Sequence, residues 1–195
     1  MKVAIVKYNA GNVRSVTNAL QRLGVDSEVT DDLEALQTAD KVIFPGVGEA
    51  SSAMNYLRER NLTRAIRSFK QPVLAICLGM QLLCRFSEEN NTECLGIFRQ
   101  TVKRFPAGPL RVPQIGWNNI SGLETPVFEG ITEGVFVYFA NSYFVESDSN
   151  TIAAASYGLR LSAAIHYKNF YGLQFHPEKS GPVGAKILEN FLKIA

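Results

Sequence analysis

Apolar and polar positions in the first half of the chain predict strands and helices that follow one another in turn. Short apolar runs that are typical of buried strands lie at 2–8, 25–30, 41–44 and 73–76. Between them, apolar residues recur at helical spacing and predict helices over 12–23, 31–36, 49–69 (with a break near Asn61) and 78–86. This order is typical of a parallel sheet with helices on both faces.

The second half of the chain has shorter apolar segments, separated by turn-forming residues. Candidate strands lie at 97–105, 135–139, 151–157, 163–167 and 171–175, and a last helix is expected over 184–194. The sequence contains no internal repeat and no linker. We therefore predict a single α/β domain over residues 1–195, with antiparallel strands added in its C-terminal half.

Composition agrees with a folded globular chain: 46% of the 195 residues are hydrophobic and 19% are charged. The formal net charge is +2 and no run of Lys or Arg concentrates it, which argues against nucleic-acid binding. No apolar stretch approaches the roughly 18 residues that span a membrane, and the N-terminal apolar run is too short for a signal peptide. We expect a cytoplasmic protein that does not bind membranes.

The cysteines Cys77, Cys84 and Cys94 do not indicate a disulfide framework, because their number is odd and nothing points to secretion. Their spacing does not resemble a zinc site, and we expect neither a metal nor another cofactor. Cys84 and Cys94 have no motif around them and are interpreted as packing residues.

Cys77 differs from the other cysteines because it lies between the fourth predicted strand and the next helix. In parallel α/β sheets, ligands collect at the carboxyl ends of the strands. A nucleophile at such a turn points outward, and the positive end of the following helix favours thiolate over thiol. Gly79 permits the tight turn, whereas Ala75 replaces a second glycine that often precedes the nucleophile. Cys77 considered alone is better explained as a buried core cysteine.

A base for such a nucleophile is present in Gln-Phe-His-Pro-Glu at 174–178. The other histidine, His166, lies in an alternating strand without an acidic neighbour, which indicates a structural role. Pro177 favours an extended backbone at His176, and residues two apart in an extended segment point to the same side. Glu178 is therefore placed to orient the imidazole of His176 and to stabilise its charged form.

Together, Cys-Leu-Gly-Met-Gln at 77–81 and Phe-His-Pro-Glu-Lys-Ser at 175–180 resemble the class I, or triad, glutamine amidotransferase family. Within it, the chain is similar along nearly its whole length to the glutaminase subunits of imidazole glycerol phosphate synthases. Further segments carry the likeness: 8–16, Pro-Gly-Val-Gly at 45–48, Pro-Gln-Ile-Gly-Trp-Asn at 113–118 and Tyr-Phe-Ala-Asn-Ser-Tyr at 138–143. The resemblance implies a flavodoxin-like α/β fold.

The resemblance also implies a catalytic triad of Cys77, His176 and Glu178 that hydrolyses glutamine to glutamate and ammonia through a thioester. The oxyanion hole would be formed by backbone N–H groups of Leu78 and of the 46–47 region, each typically worth about 3–4 kcal/mol. The residues implied for the oxyanion hole are Gly46, Val47 and Leu78. Those implied for binding glutamine are Gln81, Ser142 and Tyr143.

A partner is implied as well: a (β/α)₈-barrel cyclase that forms imidazole glycerol phosphate and AICAR from PRFAR in histidine biosynthesis. The two chains would form a heterodimer and pass ammonia through the barrel, because ammonia that protonates in water is no longer a nucleophile. For Trp117 the alternative is a core aromatic residue. The residues expected on the docking face are Asn12, Gln114, Trp117, Tyr138 and Lys179.

The chain departs from the family pattern at three places outside the triad. Gln114 and Asn141 stand where the family usually has histidine, and Lys-Tyr-Asn at 7–9 replaces Asp-Tyr-Gly. These departures affect the expected contacts between subunits more than the glutaminase chemistry.

Three alternatives to the subunit assignment can be weighed on the same residues. Another triad amidotransferase, such as the pyridoxal phosphate synthase glutaminase, is disfavoured by the segments 11–16 and 116–118. A non-catalytic binding module that kept the fold is disfavoured by the intact triad. A related cysteine peptidase is disfavoured because Gln81 and the segment 45–48 fit glutamine recognition.

Overall fold

The computed structural model describes residues 1–9 and 12–195; Ala10 and Gly11, in the motif at 8–16, lie outside the described residues. The helices are α1 (Val13–Arg22), α2 (Leu33–Gln37), α3 (Ala50–Glu59), α4 (Leu62–Ser68), α5 (Leu78–Leu83) and α6 (Gly181–Lys193). The strands are β1 (Val3–Val6), β2 (Ser27–Thr30), β3 (Lys41–Phe44), β4 (Val73–Ile76), β5 (Phe86–Ser87), β6 (Thr92–Glu93), β7 (Thr101–Arg104), β8 (Gln114–Asn119), β9 (Phe136–Asn141), β10 (Tyr143–Val145), β11 (Thr151–Ser156), β12 (Arg160–Tyr167) and β13 (Phe170–Leu173). Short 3₁₀ helices lie at Glu89–Asn91, Pro126–Phe128 and Pro177–Lys179.

The central sheet of the described chain has the strand order β11-β12-β13-β4-β3-β1-β2. Strands β2, β1, β3, β4 and β13 are parallel, and β12 and β11 extend the sheet as antiparallel strands. The parallel part follows the flavodoxin-like order, in which ligands bind at the carboxyl ends of the strands. The predicted α/β fold with a mostly parallel sheet and antiparallel additions is confirmed.

Each face of the central sheet packs against a separate hydrophobic core. In β1, Val3 and Ile5 point into the core under α1 and α6, whereas Ala4 and Val6 point into the core under α2, α3 and α4. Strands β1, β3, β4 and β13 are buried along their whole length. Their continuous apolar sequence follows from coverage on both faces.

Some boundaries differ from the prediction for local physical reasons. The break expected near Asn61 is confirmed, because Asn61 has the left-handed φ of 57° and separates α3 from α4. Helix α5 ends at Leu83, since Cys84 is already extended and β5 follows at once. Helix α6 begins three residues earlier than expected, with Pro182 in its first turn, where proline needs no donor.

The prediction missed four strands that lie outside the central sheet. Strands β10, β7, β5 and β6 form a four-stranded sheet, of which only β7 was expected. Strand β8 pairs with β9 as an antiparallel hairpin.

In the described ranges, no helix combines the length and the apolar character that crossing a bilayer requires. Those ranges also contain no group of three or more His, Cys, Asp or Glu side chains placed to hold a metal ion.

Candidate active site

Cys77 lies at the carboxyl end of β4, on the turn that leads into α5. Its backbone has a φ of 51° and a ψ of −110°, which side chains with a Cβ rarely adopt, and its N–H donates a 2.7 Å hydrogen bond to the Leu173 carbonyl. A Cβ on Gly79 would lie 1.9 Å from the carbonyl oxygen of Phe44. The predicted elbow is present, and Gly79 is required because β3 approaches the start of α5 closely.

His176 and Glu178 face each other in the interior, as their spacing predicted. The Nδ1 atom of His176 lies 2.8 Å from Oε1 of Glu178, and their side chains are 1% and 0% exposed. The other ring nitrogen, Nε2, is buried and has no hydrogen-bond partner among the described residues. Burial lowers the pKa of His176, but its interactions with Cys77 and Glu178 outweigh burial and raise that pKa from 6.5 to about 9. The imidazole is therefore bonded to a carboxylate and interacts with a nearby thiol.

The side chain of Asn12 contacts the pair formed by His176 and Glu178. It precedes α1 with a left-handed φ of 75°, and its side chain does not cap that helix. Instead, Nδ2 of Asn12 donates to Oε1 of Glu178 and lies 3.4 Å from Nδ1 of His176. The sequence predicted Asn12 for the docking face, whereas the structure places its side chain beside His176 and Glu178.

The segment 45–48 lies against the start of α5, where an oxyanion hole was expected. Here the N–H of Leu78 donates a 3.2 Å hydrogen bond to the carbonyl oxygen of Gly46. Gly46 is tightly enclosed, since a Cβ there would lie 2.1 Å from the hydroxyl oxygen of Tyr8. That hydroxyl donates to the carbonyl of Pro45, and burial together with the nearby Cys77 raises the pKa of Tyr8 well above its usual value. One predicted oxyanion donor is thus already paired with a protein carbonyl.

A cavity of about 260 Å³ opens beside Cys77. It is lined by Val47 and Gly48 of the 45–48 segment, by the start of α5 and by residues 140–143. The residues predicted to bind glutamine all line this cavity: Gln81, Ser142 and Tyr143. The structure therefore brings the predicted nucleophile and the predicted ligand-binding residues to one place.

Gln81 is held in a fixed orientation at the cavity. Its Nε2 donates to the Tyr143 carbonyl at 3.1 Å and to Oε1 of Gln174 at 3.0 Å. Because the amide nitrogen has only two hydrogens, the group that Gln81 can still offer to a ligand is the acceptor Oε1.

Glu89 and Gln174 are at the site and were not predicted. Glu89 lines the cavity, Ala50 donates its N–H to Oε2 at 2.8 Å, and burial raises the pKa of Glu89. It lies in a short irregular turn that no sequence periodicity marks. Gln174 is fully buried, and its Nε2 lies 3.8 Å from the sulfur of Cys77. Its position two residues before His176 in an extended segment was a usable indication.

Comparison with known families agrees with this site. The model of the class I glutamine amidotransferase family matches residues 4–195. The chain belongs to the class I glutamine amidotransferase family. The resemblance inferred from the two motifs is confirmed, and with it the assignment of the chain as a glutamine amidotransferase.

Relatives of this glutamine amidotransferase cover its full length. It is 55% identical to the imidazole glycerol phosphate synthase subunit HisH of Bacteroides fragilis, over 100% of both chains. It is 44% identical to the subunit of the same name from Haemophilus influenzae, over 99% of this chain and 98% of that one.

Among solved structures, PurLQS from Thermotoga maritima matches with a TM-score of 0.71 and 18% identity over 98% of this chain and 97% of that one. A structure described as glutamine amidotransferase matches with a TM-score of 0.76 and 20% identity over 97% of both chains. At these identities, the two structures show the shared fold alone.

The β8–β9 hairpin of this amidotransferase exposes an apolar face. Trp117 is 56% exposed, which excludes the core alternative, and its ring lies 6.1 Å from that of its cross-strand partner Tyr138. Ile115 and Phe136 are exposed on the same hairpin, and Nζ of Lys179 lies 5.7 Å from the centre of the Tyr138 ring. We call Ile115, Trp117, Phe136, Tyr138 and Lys179 the hairpin face.

Gln114 does not belong to the hairpin face, contrary to its predicted docking role. Alternate residues of a strand point to opposite sides, and Gln114 is 3% exposed on the inner side of β8. It pairs in register with Asn141 of β9, which lines the cavity. The two departures from the family's histidines are therefore cross-strand neighbours, one of which, Asn141, lines the candidate site.

Proposed function

We propose that this chain is the glutaminase subunit of an imidazole glycerol phosphate synthase and supplies ammonia to a (β/α)₈-barrel cyclase in histidine biosynthesis. The observation that carries the glutaminase chemistry is the position of His176: its Nδ1 is bonded to Glu178, its Nε2 has no hydrogen-bond partner among the described residues, and Cys77 is close enough to raise its pKa. The names of the full-length relatives support the assignment to this synthase. We further propose that residues 1–195 form one amidotransferase domain, which the family match over 4–195 supports.

Acylation begins with the Cys77 proton on Nε2 of His176, which the raised pKa of that imidazole favours, and the sulfur attacks the side-chain amide carbon of glutamine. His176 then gives the proton to the amide nitrogen, the C–N bond breaks, and ammonia leaves. A glutamyl thioester remains on Cys77. Glu178 accepts the Nδ1 hydrogen of His176, which fixes the tautomer and stabilises the imidazolium between the two transfers.

Hydrolysis of the thioester uses the same imidazole. His176 takes a proton from water as the water oxygen attacks the thioester carbon. The C–S bond breaks, the sulfur leaves and takes up a proton from His176, and glutamate is released. Because the triad returns to its starting state, the reaction is catalytic.

The oxyanion that forms in each step requires N–H donors, and the Leu78 donor is bonded to the Gly46 carbonyl at rest. We propose that the peptide between Gly46 and Val47 rotates, so that the N–H of Val47 replaces the Gly46 carbonyl and the Leu78 N–H becomes available. Each donor is typically worth about 3–4 kcal/mol of barrier. The resting arrangement therefore predicts slow glutamine hydrolysis until a partner favours the rotated peptide.

Glutamine recognition relies on acceptors placed for the α-ammonium group of the substrate. Oε1 of Gln81 and the carboxylate of Glu89 both belong to residues that line the cavity. An ammonium group offers donors only, so it matches two acceptors. Ser142 and Tyr143 would hold the α-carboxylate end through their backbone.

The cyclase is proposed to cover the hairpin face. Exposed apolar side chains grouped on one surface are typical of interaction sites, and tryptophan is enriched among residues that dominate binding energy. His176 donates its backbone N–H to the Tyr138 carbonyl at 2.8 Å, so this face is directly bonded to the backbone of the triad.

The test is a coupled assay with a matching barrel cyclase. The complex should form imidazole glycerol phosphate from PRFAR with glutamine as nitrogen source. The Cys77→Ala complex should lose the glutamine-dependent reaction but keep the reaction driven by added ammonium, because the cyclase site is intact. Glutamine-dependent product from Cys77→Ala would exclude the proposed nucleophile. A failure of the wild-type chain to co-purify with the cyclase, or to respond to it, would exclude the proposed partner.

A further inference from the structure

A chain of buried amides connects the glutamine cavity to the sulfur of Cys77. It starts at the Tyr143 carbonyl, which accepts from Gln81, and continues from Gln81 Nε2 to Oε1 of Gln174. It ends where Nε2 of Gln174 lies 3.8 Å from Sγ of Cys77. Gln174 is completely buried, so no solvent replaces these contacts.

The direction of each amide in this chain is fixed by the carbonyl at its start. The Tyr143 carbonyl can only accept, and it also accepts from Nδ2 of Asn141 at 2.9 Å. Gln81 must therefore present its NH₂ group to Tyr143, and the second hydrogen of that group faces Gln174. Gln174 must therefore present its amide oxygen to Gln81. In the opposite orientation of the Gln174 amide, two NH₂ donor groups would face each other. Its own NH₂ group is thereby left facing Cys77.

We propose that Gln174 is a positioning residue that directs an N–H at the Cys77 sulfur and favours the thiolate, with its orientation set by Gln81 and the Tyr143 carbonyl. The inference rests on the proposed role of Cys77 as nucleophile. As a thiol, Cys77 donates to the Ala140 carbonyl at 3.8 Å and accepts from Gln174. As a thiolate, it loses the first contact and keeps the second, which strengthens with the charge. The Gln174 donor therefore stabilises the thiolate more than the thiol.

The same arrangement connects the nucleophile to a residue of the glutamine cavity. Gln81 uses its NH₂ group for the internal chain and is left with Oε1 for a ligand at the cavity. One side chain therefore contributes to glutamine binding and also fixes the donor at the sulfur.

The test measures alkylation of the free protein by iodoacetamide as a function of pH, with mass spectrometry to follow Cys77. Alkylation reports the thiolate and needs neither glutamine nor the oxyanion hole. Cys84 and Cys94 are buried, burial raises the pKa of both thiols, and the Cys77→Ala protein gives their background. The titratable groups beside the sulfur, His176 and Tyr8, are unchanged in every Gln174 variant.

Two variants remove the donor in different ways. Gln174→Met keeps the length and removes the amide, whereas Gln174→Asn keeps a buried amide that is too short to reach the sulfur. Both should lower the alkylation rate near pH 7 about tenfold and move half-maximal alkylation about one pH unit higher, with the same plateau at high pH. Asn190→Leu is the control: it removes a buried amide that donates to the Val127 and Glu129 carbonyls, and it should leave the profile unchanged.

The outcomes separate this proposal from the proposed function. If the variants that fold keep the wild-type pH of half-maximal alkylation, the role of Gln174 is overturned, even where Cys77→Ala has no glutaminase activity. If Asn190→Leu shifts the profile as much as Gln174→Asn, the effect is a general result of losing a buried amide, and the role is again overturned. If Cys77→Ala still hydrolyses glutamine in the complex, it is the glutaminase mechanism that fails.

Discussion

The backbone N–H of Leu78 donates a 3.2 Å hydrogen bond to the carbonyl oxygen of Gly46. The oxyanion of the proposed reaction needs this same N–H, so the bond must break before glutamine can react efficiently. The isolated chain should hydrolyse glutamine slowly, and the cyclase with its nucleotide ligand bound should raise turnover at least about 100-fold, the typical contribution of one oxyanion donor. Steady-state release of glutamate with and without the cyclase measures this ratio.

Alkylation of Cys77 provides the control for that experiment. Iodoacetamide reacts with the thiolate and forms no oxyanion, so the cyclase should change its rate far less than it changes glutamine turnover. An equal increase in both rates would place the activation at the triad itself and would contradict the proposed rotation between Gly46 and Val47.

Gly79→Ala tests how tightly the elbow of Cys77 is held. The added Cβ would lie 1.9 Å from the Phe44 carbonyl oxygen, which belongs to a buried strand and cannot move freely. We expect a loss of about 1–3 kcal/mol of unfolding free energy in urea melts, together with loss of glutaminase activity. Gly108→Ala is the matched control, since its Cβ meets nothing within 4 Å, and it should change stability by no more than about 0.5 kcal/mol. Equal effects of the two substitutions would argue against the close approach of β3 and α5.

The pKa of His176 predicts how stability depends on pH. Burial lowers this pKa, but Cys77 and Glu178 outweigh burial and raise it from 6.5 to about 9. Between these values the folded chain binds a proton that the unfolded chain releases, so the stabilisation is complete below pH 6.5 and is lost as the pH rises through about 9. The difference in unfolding free energy between wild type and His176→Gln should shrink over this window. A difference that stays constant or grows between pH 6.5 and 9.5 would contradict the assignment. In Glu178→Gln, the pH range over which this stabilisation is lost should be narrower, because the substitution removes one of the two groups that raise the pKa of His176.

Sequence reasoning predicted Cys77, His176 and Glu178 as a triad because each follows a simple local rule. Cys77 ends an apolar strand, and Glu178 lies two residues after His176 in an extended segment. The β8–β9 hairpin was harder to predict, because the usual alternation of buried apolar and exposed polar residues is reversed there: Trp117 is exposed while Gln114 is buried. A strand that exposes its apolar side and buries its polar side gives the wrong inward side when its pattern is taken alone.

Residues that act through other residues could not be found in the same way. The role of Gln174 depends on a carbonyl and an amide from two distant segments, 143 and 81, whose directions only the folded chain defines. The bond between Leu78 and Gly46 depends on one backbone rotation that no residue type determines. Glu89 is brought to the cavity by a 3₁₀ turn between two very short strands.

Glu89→Gln tests recognition of the substrate ammonium group. The substitution keeps an oxygen that can accept from the Ala50 N–H but removes the negative charge at the cavity. The KM for glutamine should rise about tenfold with a smaller change in kcat, as expected when a hydrogen bond to a charged group is weakened. Product formation driven by added ammonium should not change. Glu88→Gln is the control, because Glu88 accepts from the Arg104 N–H and does not line the cavity. An unchanged KM in Glu89→Gln would remove Glu89 from the binding site.

Trp117→Ala tests the hairpin face. The side chain is 56% exposed in the free chain, so its removal should leave the unfolding free energy within about 0.5 kcal/mol of wild type. A tryptophan at the centre of an interface is typically worth 2 kcal/mol or more, so the Kd for the cyclase should rise at least about 30-fold by isothermal titration calorimetry. Leu33→Ala is the control, because Leu33 is 37% exposed on α2, outside the hairpin face. The Kd of the Leu33→Ala chain for the cyclase should match that of wild type. If Trp117→Ala binds the cyclase as tightly as Leu33→Ala does, the cyclase docks elsewhere, and the apolar side of β8 and β9 needs another explanation.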